Sequence, residues 1–331
     1  MRRIRFLIAV WMCIGVPLSF AAGYDTSLTD ETRSGEDVGK ARIKRGVHWY
    51  RKPSRATDLA QEKLAYEYYQ HNRLRKAANA YQAMVYAWPD SQRAASAQLA
   101  LAKVQQKRGK YEAAFEEYQY LVDNYPGQFA YPEVLGLQFQ IASYIMHARV
   151  GKLLFIPGFS SPERAIPLFE QIIRNAPSWE KAPEAQFNIG RIHEMNEEEE
   201  EAIAAYEVLQ NRYPSSEWAR QAAFRESCAL YRLSDQRRND ENALNAARAA
   251  LSAFIRAYPS SPDVSTAETY LRTLNTRLAT LVYERARYYD ELARKPEAAL
   301  QAYEDFVRRF PHSELAEKAR VRIEQLSRRK P

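Results

Sequence analysis

QLALAKVQQKRGKYEAAFEEYQYLVDNYP, residues 98–126, decides the fold. Gln98, Leu101 and Ala102 recur at helical spacing, Gly109 interrupts the pattern, and Tyr111, Ala114, Tyr118 and Leu121 resume it before Pro126 ends it. The stretch therefore predicts helix, turn, helix. Ala102 and Ala114 are small enough to let two antiparallel helices touch, while Leu101, Tyr118 and Leu121 fill the seam between them.

The same order of residues returns on both sides. Leu64, Ala65, Tyr68, Ala77, Tyr81, Met84 and Pro89 precede it, and Gln186, Ile189, Gly190, His193, Ala202, Tyr206, Leu209 and Pro214 follow it. Weaker copies end at Pro177 with Ala165, Phe169 and Ile172, at Pro259 with Ala247, Leu251 and Phe254, and at Pro311 with Ala299, Tyr303 and Phe306. These positions resemble the tetratricopeptide repeat, with Gln98 standing where that consensus has Trp. The expectation is an all-α, tetratricopeptide-type solenoid of about six helical hairpins over 58–331. A capping helix over 314–328 closes it. The spacing between terminal prolines exceeds the repeat of about 34 residues in several units, so insertions or long helices are expected. One insertion is 151–161, apolar through Leu153, Leu154, Phe155, Ile156 and Phe159, and another is the polar loop 235–242. Between Pro262 and Pro296 no Gly or Pro occurs, which permits a helix of roughly 50 Å. Pro167 falls inside a second helix and is expected to kink it.

Composition agrees with a packed helical array and narrows its chemistry. In 331 residues there are 11 Gly, and neither GxGxxG nor GxxxxGK[ST] occurs, so nucleotide chemistry loses its usual phosphate cradle. Apolar content of 46% with 22 Tyr and 13 Phe is ample for a core. The five histidines, His48, His71, His147, His193 and His312, form no metal-ligand spacing, and no GxSxG is present. His193 reads as a structural seam residue. The acidic run 197–201 reads as a solvated patch at a helix start, where negative charge suits the helix dipole. No catalytic residue, metal or cofactor is expected, and the protein is read as not an enzyme.

Residues 1–21 read as a secretory signal, with Arg2, Arg3 and Arg5 before an apolar stretch and Ser19-Phe20-Ala21 as the cleavage site. Loss of those three arginines lowers the formal charge from +7 to +4, which weakens any case for nucleic acid. Residues 22–57 read as a disordered or extended tail, acidic over 25–37 and basic over 40–55, with Trp49 and Tyr50 inside the basic part. Cys13 lies in the signal after Val10-Trp11-Met12, without the small residue that lipid attachment needs. Cys228 is then the single remaining thiol, read as a buried small side chain.

Arg277-Leu278-Ala279, followed after six residues by Ala286 and then by Tyr288-Tyr289, resembles a segment of the BamD family, the tetratricopeptide component of the bacterial outer-membrane β-barrel assembly machine. Ala247-Arg248-Ala249-Ala250 leading to Tyr258-Pro259-Ser260-Ser261 is similar to the family's helix and turn just upstream. The resemblance covers most of 58–326, lacks the family's lipid-acceptor cysteine, and places one extra hairpin near 183–214. It implies an exported periplasmic scaffold, peripheral to the outer membrane. Its partners would be the barrel-forming assembly subunit and unfolded β-barrel substrates. The different class weighed against it is a periplasmic adaptor of cell-envelope or division machinery, since the fold does not settle function.

Two partner-binding sites are expected. In repeat register the first helix of each hairpin lines a concave face, whose outward positions are Tyr66, Tyr69 and Gln70 in one unit and Lys103, Gln106 and Lys107 in the next, a mixture suited to an extended peptide with a terminal carboxylate. By the resemblance, Arg277 faces the barrel-forming subunit. Arg277, Glu284 and Tyr288 share one helical stripe, extended by Arg285 and Arg287. An exposed Arg277 is expected to tolerate charge reversal without loss of fold.

Overall fold

The computed structural model describes residues 52–150 and 159–328. The expected signal, most of the charged tail and the apolar middle of the 151–161 insertion lie outside the described residues. The described chain is six helical hairpins and a closing helix: α1 Asp58–Gln70 with α2 Leu74–Ala87, α3 Ala94–Lys107 with α4 Tyr111–Asn124, and α5 Tyr131–His147 with α6 Ile166–Asn175. α7 Ala182–Met195 pairs with α8 Glu199–Arg212, α9 Glu217–Gln236 with α10 Glu241–Ala257, and α11 Val264–Arg287 with α12 Pro296–Arg309, before α13 Ala316–Ser327 closes the array. The protein is thus an all-α tetratricopeptide-type solenoid. A short antiparallel pairing of β1 Arg149–Val150 with β2 Phe159–Ser160 brackets the third hairpin's insertion.

Each hairpin stops its second helix in the same way. Trp88, Tyr125, Ala176, Tyr213, Tyr258 and Phe310 each follow that helix and precede a proline, and each leaves the helical region at φ between −130° and −146°. Proline's ring disfavours the helical conformation for its predecessor, so one dipeptide ends six helices. The turn inside four of the hairpins uses left-handed backbone. Gly109 supplies it at φ 72°, while Asn72, Glu197 and Arg294 adopt it at 54°, 61° and 50° despite their side chains.

The seam alanines are the most buried residues of the hairpins. Ala77, Ala114, Ala165, Ala202, Ala247 and Ala299 are all fully buried, and the large seam residues Tyr118, Phe169, Tyr206, Leu251 and Tyr303 lie around them. A glutamine ties the helices of three hairpins together. The side-chain amides of Gln61, Gln98 and Gln186 donate to the carbonyls of Ala80, Glu117 and Ala205 at 3.0, 2.8 and 3.1 Å, each 19 residues on. The residue standing in place of the consensus Trp thus exchanges bulk for a buried hydrogen bond, worth about 1 kcal/mol net.

Three expectations differ. Pro167 does not kink a helix. It lies in the first turn of α6, after a 3-10 turn over Pro162–Ala165, where its missing N–H costs nothing. The polar loop at 235–242 shrinks, because α9 runs to Gln236 and Asp240 caps α10 by accepting from the amides of Asn242 and Ala243 at 2.8 and 3.3 Å. The long helix α11 stops at Arg287, short of the permitted span, and widens into a single π turn, Tyr288–Leu292, before left-handed Arg294.

Candidate functional site

The first helices of successive hairpins, α1, α3, α5, α7, α9 and α11, carry the positions expected to line a concave face. On α1 and α3 the structure brings Tyr69 and Lys107 together, with the ammonium 4.7 Å from the ring centre, a cation–π contact. Tyr66 is 55% exposed, and Gln70 and Lys107 are also exposed, so this corner presents aromatic and cationic groups to solvent. Lys103 is exposed but engaged, 3.0 Å from Glu133 of α5. Gln106 departs from its expected outward position: it is half-buried and accepts from the Tyr118 hydroxyl at 3.0 Å. Twelve residues before the seam tyrosine, the last turn of the first helix faces the second helix, and that geometry turns its side chain inward.

In later hairpins a carboxylate stands at this position or one residue before it, twelve residues ahead of Tyr206 and thirteen ahead of Tyr303, which sequence reasoning missed. Glu194 accepts from the Tyr206 hydroxyl at 3.0 Å, and the Tyr303 hydroxyl approaches Asp290 at 3.4 Å. Glu194, with its side chain 9% exposed, also accepts from Arg225 at 3.0 Å and Arg232 at 2.9 Å, both on α9. Arg232 forks onto Glu199 as well, at 2.9 Å from one oxygen. The acidic run 197–201 is therefore not wholly solvated: Glu199 is buried and paired, because it faces α9 rather than water. Burial depresses the Arg232 guanidinium, yet its hydrogen bonds to Glu199 and Glu194 more than offset this and hold it above the ordinary arginine range. The Tyr206 phenol is pushed well above its usual range by burial, with the charge of Glu194 adding to the effect. Around this network, α7, the turn after it and α9 enclose a cleft of about 580 Å3. The spacing of Glu194 and Tyr206, identical to that of Gln106 and Tyr118, is the sequence signal that could have found it.

The expected stripe on α11 divides. Glu284 and Tyr288 are exposed, and Arg287 pairs with Glu284 at 3.0 Å and Glu291 at 3.4 Å. Arg285 pairs with Glu241, which also receives Arg309 at 2.6 Å. Hydrogen bonds from Arg309 and Arg285 hold the Glu241 carboxyl below the usual glutamate range. Arg277 is not the exposed charge expected. Its side chain is 23% exposed, donates to the Ser234 carbonyl at 2.9 Å and lies 3.4 Å from Asp235. Ser234 is in the last turn of α9, where carbonyls lack partners within the helix, so Arg277 caps α9 from a neighbouring helix. Charge reversal there sets a carboxylate against a carbonyl and Asp235, so it is expected to cost stability.

Among the described residues no cluster of His, Cys, Asp and Glu is placed to hold a metal, and burial pushes the Cys228 thiol up to about 11, away from reactivity. His193 pairs with Glu198 at 2.7 Å. No helix among the described residues is long and apolar enough to cross a membrane.

Residues 179–329 match the family described as YfiO, outer membrane lipoprotein, and residues 62–129 match a tetratricopeptide repeat family. The outer membrane protein assembly factors BamD of Neisseria gonorrhoeae and Neisseria meningitidis serogroup A are each 34% identical to this chain over 134 residues, 38% of this chain and 45% of theirs. The chain thus spans less than half the length of the curated relatives it matches. Among solved structures, the C-terminal part of a tetratricopeptide repeat protein from Cytophaga hutchinsonii is 15% identical and covers 80% of this chain and 87% of its own, with a TM-score of 0.34. A tetratricopeptide repeat protein from Parabacteroides merdae is 12% identical over 82% of this chain and 98% of its own, with a TM-score of 0.28. The family match begins before α7 and its bounds include 183–214. Through residues 179–329, this chain is similar to the BamD family.

Proposed function

We propose that this protein is an exported, non-enzymatic scaffold that holds protein partners during the assembly and insertion of outer-membrane β-barrel proteins. It would work in the periplasm, peripheral to the outer membrane, with 1–21 as export signal, 22–57 as tail and 58–331 as the working array. The observation that carries this reading is the match of residues 179–329 to a family of outer membrane lipoproteins whose curated relatives are named outer membrane protein assembly factors.

The surface chemistry supports the same reading. Tyr66, Tyr69, Gln70 and Lys107 offer an extended polypeptide aromatic area and donors on one corner of the α1–α3 face, with Lys103 beside them. Glu284, Arg285, Arg287 and Tyr288 offer the barrel-forming subunit a charged patch with one aromatic anchor. Gln106 and Arg277 act from behind these patches as positioning residues. The test is affinity purification of the tagged full-length protein from membranes, followed by mass spectrometry. Recovery of a barrel-forming assembly subunit with unfolded outer-membrane proteins is the expected result. Recovery of peptidoglycan-associated or division proteins instead would replace it with the envelope-adaptor reading.

A further inference from the structure

We infer that the cleft beside α5 binds a glycan built of neutral N-acetylated sugars. The site shares no residue with the patches offered to protein partners, so it goes beyond the assembly reading. In a chain that is 27% charged, α5 carries Glu133 in its first turn and no Asp, Glu, Lys or Arg from Val134 to Met146. Loss of charge from an exposed face is the mark of a surface that something covers. Ser143, Tyr144 and His147 lie three, four and seven residues after Gln140, so the four share that face. With Phe139 and Lys181 they line a cleft of about 540 Å3, the size and apolar character of a small-ligand site.

Two aromatic rings in the cleft are held by neighbours before any ligand arrives. Tyr144 is 51% exposed, and its ring packs on Tyr111 with centres 4.0 Å apart. Phe139 is fixed by Phe169 and Trp179, with ring centres 5.6 and 5.9 Å away. The polar groups beside these rings are unspent. The side chains of Gln140, Ser143 and His147 make no hydrogen bond to the described residues, and Lys181 pairs with no acid among them. An amide, a hydroxyl and a neutral imidazole each both donate and accept, and that selects the ligand. A proline-rich segment brings carbonyls without N–H groups and leaves the acceptors idle. An acidic chain meets one ammonium, which already lies 5.4 Å from the Phe139 ring centre. No carboxylate lines the cleft to hold a cation. An N-acetylated pyranose meets every part of the lining: a C–H face for the Tyr144 ring, an acetamido methyl for the apolar wall, and hydroxyl and amide groups that both donate and accept.

The test titrates full-length protein, by fluorescence anisotropy, with fluorescein-labelled chitotetraose, the tetramer of N-acetylglucosamine. Labelled cellotetraose, which lacks the acetamido groups, and a labelled proline-rich peptide are the competitors. The expected result is saturable binding of chitotetraose, tighter than of either competitor. Tyr144→Ala should weaken it about tenfold and Tyr144→Phe should retain it, because the ring and not the hydroxyl makes the stack. Gln140→Ala should weaken it about fivefold with an unchanged circular dichroism spectrum, since that exposed side chain supports nothing in the fold. No saturable binding of chitotetraose, or an affinity that survives Gln140→Ala and Tyr144→Ala, overturns the site. Equal or tighter binding of cellotetraose overturns its assignment to N-acetylated sugars, and tighter binding of the peptide makes the cleft a polypeptide site instead. None of these outcomes depends on which proteins the purification experiment recovers.

Discussion

The second and fourth hairpins share a seam tyrosine and differ in what it meets. Tyr118 donates to the neutral amide of Gln106, while Tyr206 donates to the carboxylate of Glu194. An amide is satisfied by the hydroxyl and leaves the next hairpin alone. A carboxylate nearly out of water demands cations, and Arg225 and Arg232 of the following hairpin answer it. The sixth hairpin repeats the second solution, with Asp290 held by Arg322 of α13 at 2.7 Å. In the amino-terminal half the comparable joint is built from amides, where Gln119, Gln138 and Asn175 bond across α4, α5 and α6. The two halves therefore share a seam within hairpins and differ in the buried part of the joint between them, built from amides in one and around a nearly buried carboxylate in the other, while the amino-terminal ion pairs Arg93–Glu62, Lys103–Glu133 and Arg164–Glu112 lie nearer the surface.

The strongest test attacks what is shared. Ala114→Asp and Ala202→Asp each bury an unpaired charge at a fully buried helix contact, and each should cost about 4 kcal/mol by denaturant unfolding. Equal losses fit a common seam, and an unchanged midpoint in either breaks it. The next test separates the halves. Glu194→Ala strips Arg225, Arg232 and Tyr206 of their shared partner and should cost about 2 kcal/mol, reduced from a fully buried pair because the arginines are partly solvated. Gln106→Ala should cost about 1 kcal/mol. Raising salt should shrink the first loss and leave the second, and if both respond alike the two joints do not differ in kind.

Smaller effects lie in the turns. Glu197→Gly and Arg294→Gly relieve left-handed backbone and should each stabilise the protein by about 0.5–1 kcal/mol, whereas Gly109→Ala at the matching position should destabilise it by a similar amount. The smallest effect concerns acid. The Glu241 carboxyl is depressed in the folded state, so its stabilisation is present above the ordinary glutamate range near 4.5 and disappears as pH falls through the folded value below it. Glu241→Gln should therefore lose less stability than wild type as pH falls from about 4.5 downward, read as thermal midpoints across a pH series. A parallel decline in both proteins would place the acid sensitivity elsewhere in the carboxyl-terminal half.

Periodicity made the hairpins legible because spacing alone tells which residues share a face. The buried alanines, the seam aromatics and the aromatic-proline stops follow from that. What periodicity does not carry is the partner across the joint. Glu199 sits in a run of five glutamates and reads as solvated until α9 is packed beside it. Arg277 lies on a polar stripe, yet it reaches a carbonyl 43 residues earlier, at a helix end no local pattern marks as open. Gln106 falls on the outward face of its helix taken alone, and its partner, the Tyr118 hydroxyl, comes from the second helix of the hairpin. The end of α11 was illegible for another reason: no Gly or Pro marks Tyr288–Leu292, and the π turn there is accompanied by tertiary pairing of Asp290 with Arg322.

The glutamine that spans 19 residues in three hairpins has a kinetic consequence. Such a bond can form as soon as one hairpin is made, and the substantial contacts among the described helices join elements adjacent or nearly adjacent along the chain. Low contact order of this kind removes the long loop closures that slow folding, so any hairpin can seed the rest and growth spreads to its neighbours. Among the described residues the closing helix α13 packs chiefly on α12 and should exchange its amide protons sooner than the interior hairpins, which are held on both sides.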